Sequence, residues 1–392
     1  MAGLVVKPRS RIFHGHEWVY GSEVLKTFGN PEPGDVVTLK DYKDRPLGTA
    51  IYNPDSQIVA RRISRRKQLL NEDFFERRLQ RAADLRAEMN LPDPTLCRLV
   101  WSEADGMPGV VIDRYGDHFV VQTLTLAMDN NKAMLTDAIV KLFSPKTVIE
   151  RNDAPIRKAE GLEPHTSVLY GDDYPEPFII ESNGIKQLID LQDGQKTGIY
   201  LDQLDNYAAV AALAKGKRVL DCFCNQGGFA LHAAKAGATS VDAIDISETA
   251  VAAGKHNAEL NELENIEWIV ENVFSHLRFL EKEGKKYDLI ILDPPSFTRN
   301  RKSVKEAMRG YKEIHLRALK LLEKGGQLAT YSCSFHVDRE TFFGMICDAS
   351  VDAKRTLRLL DEQRQRIDHP VIATMPETAY LKGAIFETVA SF

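Results

Sequence analysis

From Tyr207 onward the chain alternates short apolar runs with amphipathic stretches, and no other feature narrows the fold so far. RVLDCF, SVDAIDI, IEWIVE, YDLIILD and QLATYSC read as strands. GFALHAAKAG, SETAVAAGKHNAELN, VFSHLRFLEKEG and RGYKEIHLRALKLLEKG read as the helices between them. Strands that are apolar on both faces need cover on both faces, and helical crossovers supply it. This half therefore predicts a parallel, doubly wound, Rossmann-like α/β sheet. A further helix, RETFFGMICDASVDA, and two more strands, LRLLDEQ and KGAIFETV, follow the fifth strand.

In an open α/β sheet ligands collect outside the carboxyl ends of the strands, so the residues that close each strand carry the chemistry. The first strand ends in DCFCNQGGFA, where Asp221 precedes a turn with Gly227 and Gly228, glycines that let backbone approach a ligand closely. This is not the GxGxxG that cradles a pyrophosphate, which argues against a nicotinamide oxidoreductase. Asp245 closes the second strand 24 residues after Asp221, where an acid can grip a ribose diol. Its competing role, with Ser247, is to cap the next helix. The third strand ends in VENVF, which offers Glu271 and Asn272 to an adenine edge. The fourth ends in LDPPSF, whose two prolines break the strand into a rigid loop after Asp293.

The N-terminal part has a shorter period. DVVTLKD, LGTAIY and IVARRI, separated by NPEPGD and NPDS, predict a small all-β module over residues 1–70. NEDFFERRLQRAADLRAEMN, with an acidic first turn and apolar residues at helical spacing, predicts a helix that opens a small α+β domain over residues 71–180. The hairpin-like GDDYPEPFIIESNGIKQLIDLQDG ends that domain, and residues 181–392 form the third.

Net charge is −5, which taken alone disfavours nucleic acid, but residues 1–67 hold twelve Lys/Arg against seven Asp/Glu. The excess gathers in ARRISRRK, so Arg61, Arg62, Arg65 and Arg66 are candidate phosphate contacts; a solvated face is the plainer reading of the same charges. No apolar run is long enough for a membrane span or a signal segment, and five scattered cysteines make no disulfide framework. A soluble cytoplasmic protein with reduced thiols is expected, with no membrane partner. Cys222 and Cys224 form C-x-C without a second pair, so no metal site is expected; strand alternation turns one of them into the core.

Four such strand ends in this order resemble the class I S-adenosylmethionine-dependent methyltransferases. A longer set covers essentially the whole chain: GHEWVYGSEV, NPDSQIVARRI, SEADGMPGVVIDRYGD, GQKTGIYLDQ, DCFCNQGGFA, DPPSF, RGYKEIH, YSCS and DHPVIATMPETAYLKG. Together these resemble the bacterial methyltransferases that make 5-methylcytosine in large-subunit (23S) ribosomal RNA. The resemblance implies an N-terminal PUA RNA-binding domain, a central α+β domain, and a seven-stranded catalytic domain with an antiparallel last strand. It implies S-adenosylmethionine as cofactor, held by Lys196, Gln203, Asp221, Phe223, Gly227, Asp245, Ile246, Asn272 and Asp293. It implies ribosomal RNA as partner and leaves a homodimer open. Two departures stand out: ENVF where the family usually has two aspartates, and Leu204 and Tyr207 where it commonly has arginines.

The resemblance also makes the fifth strand a neighbour of the fourth, so Cys333 should emerge near Asp293 and serve as nucleophile, with Asp293 on the edge of the base. For a lone thiol at a strand end a small core role is the better reading; the position beside DPPSF reverses it. Cys97 and Cys347 read as inert, the latter in mid-helix among apolar residues. Water, Asp293 and His336 are the candidates for removing the carbon 5 proton. Amino-group methylation of a purine is the competing chemistry; it needs no cysteine and usually has an aromatic directly after the second proline, where this chain has Ser296. A catalytically silent RNA-binding or ribosome-assembly factor is the alternative outside catalysis.

Overall fold

The computed structural model describes residues 2–192, 198–298 and 301–389. The chain divides into two compact units that interleave along the sequence. One comprises Met1–Phe178, Ile189–Leu201 and Ile367–Thr378; the other comprises Ile179–Leu188, Asp202–Arg366 and Ala379–Phe392.

The first unit holds two sheets. Six short strands between Gly3 and Ser64 form one, closed over Leu4, Val6, Val19, Val37, Leu39 and Ala50. Five strands between Leu96 and Tyr170 form the other, packed with the helices Glu72–Glu88 (α1) and Lys132–Phe143. Asn71 caps α1 by accepting from the Phe74 amide, and the acidic first turn of Glu72 and Asp73 suits the positive end of the helix dipole. Phe74, Phe75 and Leu79 from α1 share one buried cluster with Ile51 and Ile63 of the first sheet and with Leu99 and Val110 of the second. The first two expected domains thus share a core, which short separate strands could not have revealed.

The second unit carries the seven-stranded sheet. Its strands are Arg218–Cys222 (β1), Ser240–Asp245 (β2), Ile266–Val270 (β3), Tyr287–Leu292 (β4), Leu322–Ser332 (β5), Thr356–Arg364 (β6) and Lys382–Val389 (β7). Their order is β3-β2-β1-β4-β5-β7-β6, with β1 to β5 parallel and β7 antiparallel to both neighbours. The strand order reverses between β1 and β4, which is where such sheets open a crevice for a ligand. The covering helices are Leu204–Ala211 (α2), Gly228–Lys235 (α3), Glu248–Leu260 (α4), Val273–Lys282 (α5), Val304–Leu321 (α6) and Arg339–Asp352 (α7). Leu220, Ile290, Leu292, Leu328, Tyr311, Ile314, Phe342 and Ile346 are among the side chains that fill the space between sheet and helices. No helix among the described residues is long and apolar enough to cross a membrane.

Candidate active site at the carboxyl end of the sheet

The turn after β1 is built from backbone that most side chains avoid. Phe223, Asn225 and Gly227 all have positive φ, and the Cys224 amide donates to the Ile244 carbonyl of β2. A Cβ on Gly227 would lie 2.3 Å from the Trp268 ring, so this glycine makes room for a tryptophan of β3, a neighbour the sequence reading did not name. Tyr207, where an arginine was the expected family residue, packs edge-on against Phe229 of α3 at 4.6 Å, and Leu204 is buried.

Asp245 stands at the end of β2 with both carboxylate oxygens used locally. One accepts from the Asn225 amide and the other from the Ser247 amide, each at 2.9 Å. Ser247, not Asp245, caps α4. The adjoining Ile246 is an exposed apolar side chain. Asn272 is exposed and caps α5, its amide oxygen accepting from Phe274 and Ser275, so only its NH2 is left to meet an adenine.

Asp221 is fully buried. One oxygen accepts from the Ala230 amide at 2.9 Å, and the other has no hydrogen-bond partner among the described residues. Burial, then the nearby Asp293 carboxylate and to a lesser degree Asp245, push its pKa up to about 8 against the pull of the Ala230 amide. Asp293 accepts from the Gln203 side-chain amide at 3.0 Å, and Gln203 in turn accepts from Asn206 at 2.6 Å. Gln203 is 2% exposed, so it acts here as a brace between Asn206 and Asp293 rather than as an open cofactor contact. Lys196 lies outside the described residues.

Cys333 follows β5, whose Thr330 pairs with Leu292 of β4, one residue before Asp293. The two serines around it are both fully buried and tied down. Ser334 Oγ lies 3.0 Å from Ser296 Oγ of the DPPSF loop and 2.8 Å from the Tyr311 hydroxyl, while Ser332 donates to that hydroxyl at 3.2 Å. Phe297 packs on Tyr311 with ring centres 4.6 Å apart. Lys382, at the start of β7 and opposite Ser332, donates from Nζ to the Ser334 carbonyl at 2.8 Å. Burial pulls the Lys382 pKa down, and Cys333 and Asp338 push the other way. Neither the serine–tyrosine clamp nor Lys382 was found in the sequence, although Lys382 sits inside the quoted AYLKG.

Of the remaining thiols, the C-x-C pair and Cys347 differ from expectation. Cys222 and Cys224 are both buried, because strand alternation ends at Cys222 and the turn folds Cys224 inward as well. Burial drives both thiols well above their ordinary pKa and pushes Cys97 up to about 12. Cys347 is exposed on α7.

The basic stripe splits in two. Arg61 is paired with Glu103 at 3.0 Å and Glu160 at 3.4 Å, and Arg62 is buried against Glu17 at 2.5 Å. These two arginines hold the first unit together and are not placed to meet phosphate. Arg65 and Arg66 remain exposed.

The S-adenosylmethionine-dependent methyltransferase family matches residues 164–341, and the PUA-like domain family matches residues 7–65. The ribosomal RNA large subunit methyltransferase I of Vibrio vulnificus is 40% identical over 385 residues, 97% of each chain. The chain belongs to the ribosomal RNA large subunit methyltransferase I family. The family member of Tolumonas auensis is 39% identical over 379 residues, covering 95% of this chain and 96% of its own. Among solved structures, a Streptococcus mutans chain described as an S-adenosylmethionine-dependent methyltransferase superposes with a TM-score of 0.85 at 25% identity, covering 99% of this chain and 100% of its own. Another, described as a methyltransferase complexed with SAH, gives 0.87 at 26% identity with the same coverage.

S-adenosylmethionine is the cofactor of a large subunit methyltransferase I, and the site's own chemistry fits it. The cofactor carries a sulfonium and an ammonium, and the Asp293 and Asp245 carboxylates lie close enough to raise the pKa of Asp221, one of whose oxygens is buried without a partner among the described residues. Among the described residues no group of three or more His, Cys, Asp or Glu could hold a metal ion.

Proposed function

We propose that the protein methylates carbon 5 of a cytosine in large-subunit ribosomal RNA through a covalent adduct on Cys333. The observation that carries the reading is the placement of this thiol: half-buried, in a loop clamped to the DPPSF loop, after the strand that pairs with β4, the strand that Asp293 follows. The other four cysteines are buried in the core or exposed on α7. Ribosomal RNA as substrate rests on the name of the relatives. S-adenosylmethionine would be held by Asp221, Asp245, Asn272 and the turn from Phe223 to Gly227.

Carbon 5 of cytosine is a poor nucleophile until a thiolate adds to carbon 6. Sγ of Cys333 forms that bond, and the electron pair of the 5,6 double bond moves to carbon 5. When bound, S-adenosylmethionine would offer its sulfonium methyl group to that electron pair, the carbon–sulfur bond breaking so that the cofactor leaves as the neutral thioether. Asp293, steadied by Gln203, carries a proton that it shares with the ring's N3 while its other oxygen can accept from the exocyclic amine, and that shared proton offsets the negative charge that thiolate addition puts on the ring. Loss of the carbon 5 proton to water, Asp293 or His336 re-forms the double bond and expels the thiolate. Lys382 supplies a cation next to the thiol loop, which favours the thiolate. In the competing amino-group chemistry the aromatic of the proline loop must stack on the base, whereas the partly buried Phe297 packs on Tyr311 against the core.

Fluorine at carbon 5 leaves no proton to remove, so RNA containing 5-fluorocytosine, supplied with S-adenosylmethionine, should trap a denaturation-resistant complex. Cys333→Ser should lose both adduct and turnover, while Cys347→Ser keeps both. Methyl transfer by Cys333→Ser at a near-normal rate would refute the covalent route. Mapping 5-methylcytosine in ribosomal RNA from cells with and without the gene identifies the target.

A further inference from the structure

Within the first unit, α1 and the turn Ser102–Asp105 enclose a cavity of about 550 Å³ lined by Arg78, Arg81, Asp84, Glu88, Glu103 and Asp105, among others. Two of its acids are already neutralised. Glu103 pairs with Arg61 at 3.0 Å, and Asp105 receives both guanidinium nitrogens of Arg86 at 2.6 and 2.9 Å. The arginines that face the cavity are in the opposite condition. Arg78 has no carboxylate partner among the described residues, and Arg81 has neither a hydrogen bond nor an ion pair there.

Arg78 is also held in place. Its guanidinium lies 5.5 Å from the centre of the Phe74 ring and donates to the Ile63 carbonyl at 2.8 Å. Gly106, at φ +70°, leaves the room it occupies: a Cβ there would come within 2.8 Å of Arg78 Nη1. Burial, followed by the neighbouring cations Arg81 and Arg77, lowers the pKa of Arg78, and no carboxylate offsets them. Arg77 on the same helix differs in having Asp73 at 2.8 Å. A half-buried, immobilised guanidinium next to a second unpaired one is a pre-organised anion site, and planar guanidinium forks suit phosphate oxygens. The Ile63 carbonyl that anchors Arg78 lies two residues before Arg65 and three before Arg66, both exposed, Arg65 with Glu17 at 3.7 Å.

We propose that this cavity binds a backbone phosphate of the RNA substrate, with Arg78 and Arg81 as its ligands, continuing the contacts of Arg65 and Arg66 onto α1. Asp84 and Glu88, exposed carboxylates on the next turns of the helix and part of the same lining, limit the site to one phosphate. The proposal rests on RNA being the substrate but not on the cytosine chemistry.

Binding of the full-length protein to a large-subunit RNA transcript, followed by fluorescence anisotropy across a potassium chloride series, tests it. Each neutralised phosphate contact contributes roughly 0.7 to 0.9 to the slope of log affinity against log salt. Arg81→Gln and Arg78→Gln should each flatten the slope by about that amount and weaken binding severalfold at low salt. Asp84→Asn should strengthen binding, Arg77→Gln should leave the slope as it is, and S-adenosylmethionine affinity should be unchanged throughout. Arg81 is exposed, so its variant decides the matter if Arg78→Gln fails to fold. A wild-type slope in Arg81→Gln overturns the site. Failure of the wild-type protein to bind RNA at all would instead overturn the ribosomal RNA reading, and this site with it.

Discussion

Ser296 and Ser334 meet hydroxyl to hydroxyl at 3.0 Å, joining the loop after β4 to the loop after β5. The same Ser334 hydroxyl contacts Tyr311 of α6 at 2.8 Å, so one side chain sets the thiol loop against both the proline loop and a helix. Ser334→Ala should therefore misplace Cys333 while leaving the turn after β1 untouched. Because displacement of about 1 Å can cost roughly a hundredfold in rate, kcat should fall about tenfold to a hundredfold. S-adenosylmethionine affinity by calorimetry should stay within about twofold. A proportional loss of both would mean the serine supports the whole unit rather than the thiol loop.

If Asp221 faces the cofactor as proposed, binding should depend on pH. Its pKa of about 8 lies above the ordinary 3.8, so its contribution to the stability of the cofactor-free fold is complete below pH 3.8 and is lost as pH rises through 8. Ligand binding runs the other way, because a cationic cofactor pairs with the carboxylate and not with the acid. Affinity for S-adenosylmethionine should rise between pH 6.5 and 8.5, with a proton released on binding. Calorimetry in two buffers of different ionisation enthalpy measures that proton. Asp221→Asn should show weaker binding with a flatter pH profile, and an equally steep profile in that variant would assign the proton to another group.

Lys382 should set the reactivity of Cys333. Its ammonium donates to the carbonyl of Ser334, the residue after the thiol, and Cys333 and Asp338 are the groups that raise its own pKa. An opposite charge nearby moves a pKa by on the order of one unit or more. In a Cys347→Ser background the pH midpoint of iodoacetamide alkylation at Cys333 should rise by about one unit in Lys382→Met and return in Lys382→Arg. An unmoved midpoint would reduce Lys382 to a strut for the loop.

The divided basic stripe separates stability from binding. Arg62 is paired with Glu17 at side-chain exposures of 6% and 21%, and removing one member of a buried pair costs about 3 kcal/mol. Arg62→Ala should lower the thermal midpoint by many degrees. The Arg65→Ala, Arg66→Ala double variant should leave it almost unchanged while weakening RNA binding and flattening its salt dependence. RNA affinity that survives the double variant would make these two arginines a solvated edge.

What could be read in the sequence was whatever is written locally. Asp221, Asp245, Asn272, Asp293 and Cys333 each close a strand or follow one, and an apolar run that stops is visible without a partner. The fates of Arg61 and Arg62 were hidden because Glu103, Glu160 and Glu17 come from other elements, and ion pairing across such separations leaves no periodic trace. Lys382 was hidden for the same reason: it reaches Ser334 only because β7 lies beside β5. Cys347 is a different case. Phe342, Met345, Ile346 and Ala349 form the buried stripe of α7 at helical spacing, and residue 347 falls off it, so its exposure was present in the pattern.

Strand β7 lies between β5 and β6, yet the chain makes both of them first and passes through the other compact unit, at Ile367–Thr378, before reaching it. A growing or refolding chain that has ordered β1 to β5 therefore holds β5 with a bare edge, and β6 has no neighbour to pair with. Closing the sheet means pairing β7 with β5 across the intervening α7 and β6, a step of high contact order that should come late and slowly. Since that strand also delivers Lys382, the thiol loop receives its cation only when the sheet is finished. Folding intermediates of this protein should accordingly bind ligands of the β1–β2 turn before they acquire a reactive cysteine.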